Sequence, residues 1–205
     1  MSLHKFLSYL KEDNLFFKYI WLKTRYEGRK RKLANVSDID CINNLYKGYC
    51  GQLPNLDVPL KFSEKMQWMK LHYRNNLMPI VGDKYLVRKY LEDQGYGHLL
   101  NELIAVFESV DEIKSEDLPQ RFVLKASHSS GWNLIVRDKE HFNWHMAYKN
   151  MQYWLKNKID WDGREWHYAQ MKPRIVCEKY LEDKSGGLLD YKFFCFNGEP
   201  RFMGL

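Results

Sequence analysis

A chain of 205 residues is long enough for one good-sized domain or two small ones, and with 45% hydrophobic and 28% charged residues its composition excludes disorder of the whole chain. A net charge of +6 permits contact with phosphate, nucleic acid or an anionic membrane surface without choosing among them. No run approaches the ~18–20 apolar residues of a membrane span, and an N-terminus carrying Lys5, Lys11, Glu12 and Asp13 is too charged for a signal-peptide core.

In chain order, residues 2–22 are expected to be helical. Leu3, Phe6, Leu7 and Leu10 keep helical spacing, and Phe16, Phe17, Ile20 and Trp21 resume it after Asp13-Asn14. The stripe reads either as a face packed on the rest of the protein or as an interfacial membrane helix. The basic stretch that follows (Lys23, Arg25, Arg29, Lys30, Arg31 and Lys32, opposed only by Glu27) reads as a solvated connector or as a dock for anionic lipid or polymer. Ser37 can cap a helix carrying Ile39, Ile42, Leu45, Tyr46 and Tyr49. A breaker-rich loop over 51–59 leads to a helix capped by Ser63 and running to about Tyr73. A further helix is expected over 83–94, with Gly95 as its stop.

Beyond that point the pattern changes to period two. Strands are expected over 103–107, 121–125, 132–137, 175–181 and 189–196. A short helix over 111–118 ends at Pro119, and a longer one over 139–157 turns Phe142, Met146, Met151, Trp154 and Leu155 inward. Asn197-Gly198 is a two-residue hairpin turn, and Arg201 opens its partner strand. This order is α+β rather than a doubly wound parallel sheet. Neither a G-x-G-x-x-G nor a P-loop motif is present, which leaves Rossmann and P-loop readings poorly supported.

Three stretches carry candidate chemistry. In Phe122-Val-Leu-Lys-Ala-Ser-His-Ser-Ser-Gly-Trp-Asn133 an apolar strand delivers Lys125, and a loop of small residues follows. Ser127, Ser129, Ser130 and Gly131 let backbone N–H groups approach an anion, with the Lys125 charge beside them. Alone, the segment is also compatible with a polar hairpin and a surface lysine. In Val176-Cys-Glu-Lys-Tyr-Leu-Glu182, alternation puts Glu178 and Tyr180 on one face and Lys179 and Leu181 on the other, suited to walling a purine ring or to a plain charged edge strand. In Asp190-Tyr-Lys-Phe-Phe-Cys-Phe-Asn-Gly-Glu-Pro200, Asp190 and Lys192 share a face and could equally be a solvated charge pair.

Together these stretches, preceded by Phe62-Ser-Glu-Lys-Met-Gln-Trp-Met-Lys70 and Asp83-Lys-Tyr-Leu-Val-Arg-Lys-Tyr90, resemble the ATP-grasp superfamily and within it the TupA-like family. The likeness covers roughly residues 60–205. It implies N-terminal helices followed by an ATP-grasp-like antiparallel sheet with helices and an incomplete second lobe. The division so implied is a helical region with a basic connector over 1–60 and a nucleotide-binding region over 61–205. By resemblance, Lys84 and Lys125 reach ATP phosphates, Ser129, Ser130 and Gly131 close over them, and Glu178, Lys179, Tyr180 and Leu181 form the adenine hinge. Asp190 and Lys192 face nucleotide or substrate, and Arg88 either orients its helix or touches substrate.

The reaction implied is ATP-dependent joining of a carboxylate to an amine, on precursors of a bacterial cell-surface polysaccharide. The partners implied are ATP and carboxylate- and amine-bearing polymer precursors; nucleic acid is disfavoured. The family's Mg²⁺ ligands, acidic residues and an asparagine, have no counterpart after Lys192, so they are expected beyond residue 205 and the chain is expected to be a truncated product. Cys41, Cys50, Cys177 and Cys195 form no C-x-x-C motif, and Cys177 and Cys195 lie in strand-like apolar runs as small hydrophobes. The expected setting is therefore reducing and cytoplasmic, with the inner face of the membrane as a further option.

Other readings stay open. His141 and His145 could share a metal if a third ligand joined them. His128 could be a nucleophile's partner or a loop-positioning group. Seven tryptophans beside positive charge allow a non-catalytic polyanion or nucleic-acid module. Asp160-Trp-Asp162 formally fits the metal motif of a glycosyltransferase.

Overall fold

The computed structural model describes residues 14–182 and 188–204. The expected helical positions Leu3, Phe6, Leu7 and Leu10 lie outside the described residues. From Asn14 the chain is a helical rod: α1 (Leu15–Trp21), a π-helical section (Leu22–Tyr26) and α2 (Glu27–Leu33). The Asn14 side chain accepts from the amides of Phe16 and Phe17 at 3.0 and 3.3 Å, a cap that explains the break in the apolar stripe there. Ser37 caps α3 (Asp38–Cys50) as expected, with its hydroxyl accepting from Asp40 N at 3.1 Å.

Helix α4 spans Phe62–His72. Its cap is not Ser63, whose hydroxyl instead meets Tyr46 Oη at 3.0 Å. Glu64 does the work: its carboxylate accepts the amides of Asn55, Leu60 and Lys61 at 3.3, 3.2 and 3.0 Å. Those bonds, the one from Lys61 foremost, hold the carboxyl below its usual range. The helix expected over 83–94 is α6 (Leu86–Asp93), preceded by a short helix without sequence assignment, α5 (Leu77–Gly82), and Asp83 turns the chain between the two. Its Oδ1 accepts from Tyr85 N and Leu86 N at 2.8 and 3.1 Å.

The main sheet has four strands in the order β1 (Leu103–Phe107), β4 (Ile175–Lys179), β2 (Phe122–Ala126), β3 (Asn133–Val136), all antiparallel. Alternation decides its two faces. Phe122, Leu124, Ala126, Leu134 and Val136 are buried, whereas Val123, Lys125, Asn133 and Ile135 lie on an open face. Helix α7 (Trp144–Lys156) covers the buried face with Ala147, Met151 and Trp154, all fully buried. Each large apolar side chain so placed stabilises the fold by roughly 1.5–3 kcal/mol. Leu22 and Tyr26 of the N-terminal rod belong to the same core.

Helix α7 starts later than the periodicity suggests. The Asp138 carboxylate holds Glu140 N at 3.0 Å and His141 Nδ1 at 2.6 Å in a turn, and Asn143 then caps the helix by accepting from Met146 N at 3.1 Å. The expected helix over 111–118 is instead two 3₁₀ turns, Val110–Glu112 and Ser115–Asp117. Two short helices, α8 (Asp160–Gly163) and α9 (His167–Gln170), fill a stretch without sequence assignment. The strand expected over 175–181 stops at Lys179, leaving Tyr180 and Leu181 past its end.

Strands β5 (Lys192–Phe196) and β6 (Glu199–Gly204) form a separate hairpin. Its turn has φ 51° at Asn197 and 81° at Gly198, the pair of positive values that an Asn-Gly hairpin turn requires. Cys177 is buried, and burial pushes its thiol up to about 12. Cys195 is exposed on the hairpin, contrary to the small-hydrophobe expectation.

Candidate functional site

The open face of the sheet collects charge. Register sets Val123 opposite Glu178 and Lys125 opposite Val176, so Lys125 and Glu178 are diagonal neighbours on one face. Lys125 Nζ lies 2.6 Å from Glu178 Oε2. Arg88 of α6 approaches the other carboxylate oxygen at 3.3 Å and donates to the Asn101 carbonyl. Asn101 in turn donates to Lys179 O at 2.9 Å, which fastens α6 to the end of β4. Glu178 is only 7% exposed, so its two cations are what keep a buried carboxylate tolerable.

Lys84 enters from the helical side. Its amide donates to Ser127 O at 3.0 Å, and its ammonium donates to Ala126 O at 3.1 Å and to Ser129 O. Burial, and then the charge of Lys125, hold the Lys84 ammonium below the usual lysine range. The residue before it, Asp83, is fully buried and accepts from Ser127 Oγ at 3.1 Å. Asp83 thereby joins the start of α6 to the start of the loop.

The loop itself is half anchored and half open. Ser127, His128 and Ser129 are buried; Ser130 and Gly131 are exposed. Gly131 has φ 75°, a conformation in which a side chain is strained. His128 Nε2 lies 3.0 Å from the carbonyls of both Trp154 and Asn157, and Nδ1 has no partner. Two acceptors around one nitrogen place the proton on Nε2. The ring is a bolt between the loop and the C-terminus of α7, and its inward position removes the nucleophile reading.

Burial holds the His128 imidazole below its ordinary value. A group with a depressed folded value contributes stability that is fully present above its unfolded value and is lost as pH falls from there through the folded value. The window therefore opens below about pH 6.5. Melting temperatures measured across this range should fall for the wild type, and the His128→Gln variant should show a flatter profile. Parallel profiles for the two would contradict this role.

The remaining hinge candidates lie at the end of β4. Lys179 Nζ pairs with Glu102 at 3.0 Å. The Tyr180 ring lies 4.1 Å under the Arg121 guanidinium, which grips Glu182 with two bonds of 2.8 and 2.6 Å. With Leu181 they border a cleft shared with Glu102, Leu118 and Pro119; Lys84 and Lys125 are not among the residues bordering it. Asp190 and Lys192 pair with each other on the β5–β6 hairpin, whose aromatic link to α4 is Phe196 against Phe62 at 6.1 Å. The structure thus gathers Lys84, Lys125, Glu178 and the 127–131 loop, adds Arg88, and sets Lys192 on a different sheet, with Asp190 in the chain just before it.

A family model described as TupA-like ATPgrasp matches residues 64–205. The chain belongs to the TupA-like ATP-grasp family. No curated protein and no solved structure matches it. ATP-grasp proteins are typically ATP-dependent ligases that use ATP and Mg²⁺.

The cationic cluster around Lys84 and Lys125 has the donor chemistry that phosphate oxygens require. The Lys84 ammonium is held by the carbonyls of Ala126 and Ser129 at the mouth of a small-residue loop, and Lys125 is paired with a carboxylate that a phosphate oxygen can replace. Mg²⁺ finds no comparable set: among the described residues no group of three or more His, Cys, Asp or Glu side chains is placed to hold a metal. His141 is taken by Asp138, and Asp162 of the D-x-D segment faces Arg29 at 2.8 Å. Two anchors escaped sequence reading: Asn101, and Arg174, whose carbonyl accepts Ser127 N at 2.9 Å. Neither belongs to a quoted motif, and only the fold brings them to the loop.

Proposed function

We propose that residues 64–205 bind ATP on the open face of the sheet, as the nucleotide-binding part of a carboxylate–amine ligase acting on bacterial cell-surface polymer precursors. The observation that carries the reading is that Lys84 donates to the carbonyls of Ala126 and Ser129 while Lys125 stands near the end of the strand that leads into the same loop, whose Ser130 and Gly131 are exposed. The family match supports the ligase class, and the polymer setting follows from the family resemblance.

When bound, ATP supplies the phosphoryl group that activates a carboxylate for attack by an amine. Lys125 turns from Glu178 to a phosphate oxygen, while Arg88 continues to hold Glu178. Lys84 stays tethered to the loop carbonyls and carries its positive charge to the same anion. Their contribution is positioning and charge neutralisation rather than covalent chemistry. Lys179, Tyr180 and Leu181 offer the backbone of the β4 end to the base.

Calorimetric titration with ATP tests this, run at alkaline pH in two buffers of different ionisation enthalpy. Phosphate offsets the repulsion from Lys125 and raises the depressed Lys84 ammonium, so saturable binding should be accompanied by proton uptake. No saturable binding, or binding without proton uptake, would count against the clamp.

A further inference from the structure

The rod from Leu15 to Leu33 lies outside the family match and has two unlike sides. Its inner side is consumed by the fold. Leu22 and Tyr26 are buried, Lys18 donates to Asn133 O at 2.6 Å, and Lys30 donates to Asn157 Oδ1 at 3.2 Å. The outer side exposes Phe16 (52%), Phe17 (45%) and Ile20 (40%), and continues into exposed Arg25, Arg31 and Lys32. Arg29 and Lys23 are partly engaged, with Asp162 and with the rings of Tyr19 and Tyr153 respectively. Glu27 is the one acidic residue of the rod, and it is turned inward to accept from Tyr153 Oη at 2.5 Å.

An outer side holding apolar and cationic groups, with its only carboxylate withdrawn, matches the boundary of an anionic bilayer. The apolar side chains enter the acyl region and the cations meet the headgroups. A nucleic acid would use the cations but has little use for two phenylalanines and an isoleucine presented together. We infer that this helical surface docks the protein peripherally on an anionic lipid membrane, with its inner side still holding the β2–β3 hairpin.

Flotation of the full chain with vesicles tests the inference independently of nucleotide binding. Phosphatidylcholine vesicles containing phosphatidylglycerol should bind the protein in a salt-sensitive manner, and pure phosphatidylcholine vesicles should bind it far less. The Arg25→Glu/Arg31→Glu/Lys32→Glu variant and, separately, the Phe16→Ser/Ile20→Ser variant should each weaken anionic-vesicle binding by at least about tenfold, since each basic residue near the surface contributes about 1 kcal/mol. All five positions are exposed, so circular dichroism and Tm should stay near those of the wild type. Equal binding to neutral vesicles, or full binding by the charge-reversed variant, would overturn the inference. So would capture of an oligonucleotide that needs the cations but ignores Phe16 and Ile20, in the absence of vesicle binding.

Discussion

Replacing Lys125 by methionine is expected to weaken ATP binding by roughly ten- to a hundredfold, since a hydrogen bond to a charged group is worth about 1.5–3 kcal/mol. The substitution has a second effect. Glu178 is buried, and its closest cation is Lys125 at 2.6 Å, with Arg88 farther off at 3.3 Å. Removing Lys125 leaves the buried carboxylate with Arg88 as its one remaining cation and should lower Tm as well. The double variant Lys125→Met/Glu178→Gln separates the two effects. It should recover most of the lost thermal stability, because the unpaired charge is gone, and recover little of the ATP affinity, because the phosphate contact is still missing. Titration calorimetry and thermal melts on the four proteins of the cycle measure both. Unchanged ATP affinity in Lys125→Met would remove this lysine from the phosphate site.

Trp132→Ala should produce the largest loss of stability. Trp132 follows Gly131 directly and is buried among aromatic rings: Tyr26 at 5.6 Å, His128 at 6.0 Å, Tyr153 at 6.1 Å and Trp154 stacked at 6.2 Å. Those neighbours come from the N-terminal rod, the loop and α7, so one side chain ties three segments together. Truncating a buried tryptophan costs about 3–5 kcal/mol through lost burial and the cavity left behind. At about 2–4 °C per kcal/mol for a chain of this size, Tm should fall by roughly 10 °C.

The loop should suffer with the core. Hydrogen exchange at 128–131 is expected to quicken in Trp132→Ala, and ATP affinity to fall with it. Trp144→Ala is the comparison. Trp144 is only half-buried, packing on Phe122, Phe142 and Tyr148 at the start of α7. That variant should lose less stability and keep its ATP affinity. Equal loop exchange in the two variants would show that Trp132 is a core residue without influence on the loop.

The placement of Trp132 also bears on the tryptophan-rich composition. Trp132 and Trp154 stack inside the core, and Trp161 packs against Tyr26 at 4.8 Å. These rings are spent on packing, which leaves the polyanion-stacking reading without those side chains.

Local rules account for what was legible in the sequence. The alternation of Phe122, Leu124 and Ala126 with Val123 and Lys125 specifies a strand with one wet face, and it puts Lys125 on that face. Asn197-Gly198 specifies a hairpin because both residues accept positive φ. The motif spacing that marks the TupA-like family is also a property of the chain alone. Non-local partners decided the rest. Glu178 meets Lys125 across 53 residues and Arg88 across 90, because β4 pairs between β1 and β2, a register that no local pattern specifies. Competing side-chain acceptors moved the helix starts, as Asp83, Glu64 and Asn143 show. The inward turn of His128 and the sharing of one core by Leu22, Tyr26 and Trp132 likewise depended on which surfaces came to face each other. The sequence by itself determined which strands and turns could form and that a lysine would end one of them beside a small-residue loop. Only the tertiary structure decided what that lysine touches, since burial and long-range pairing are set by the whole packed chain.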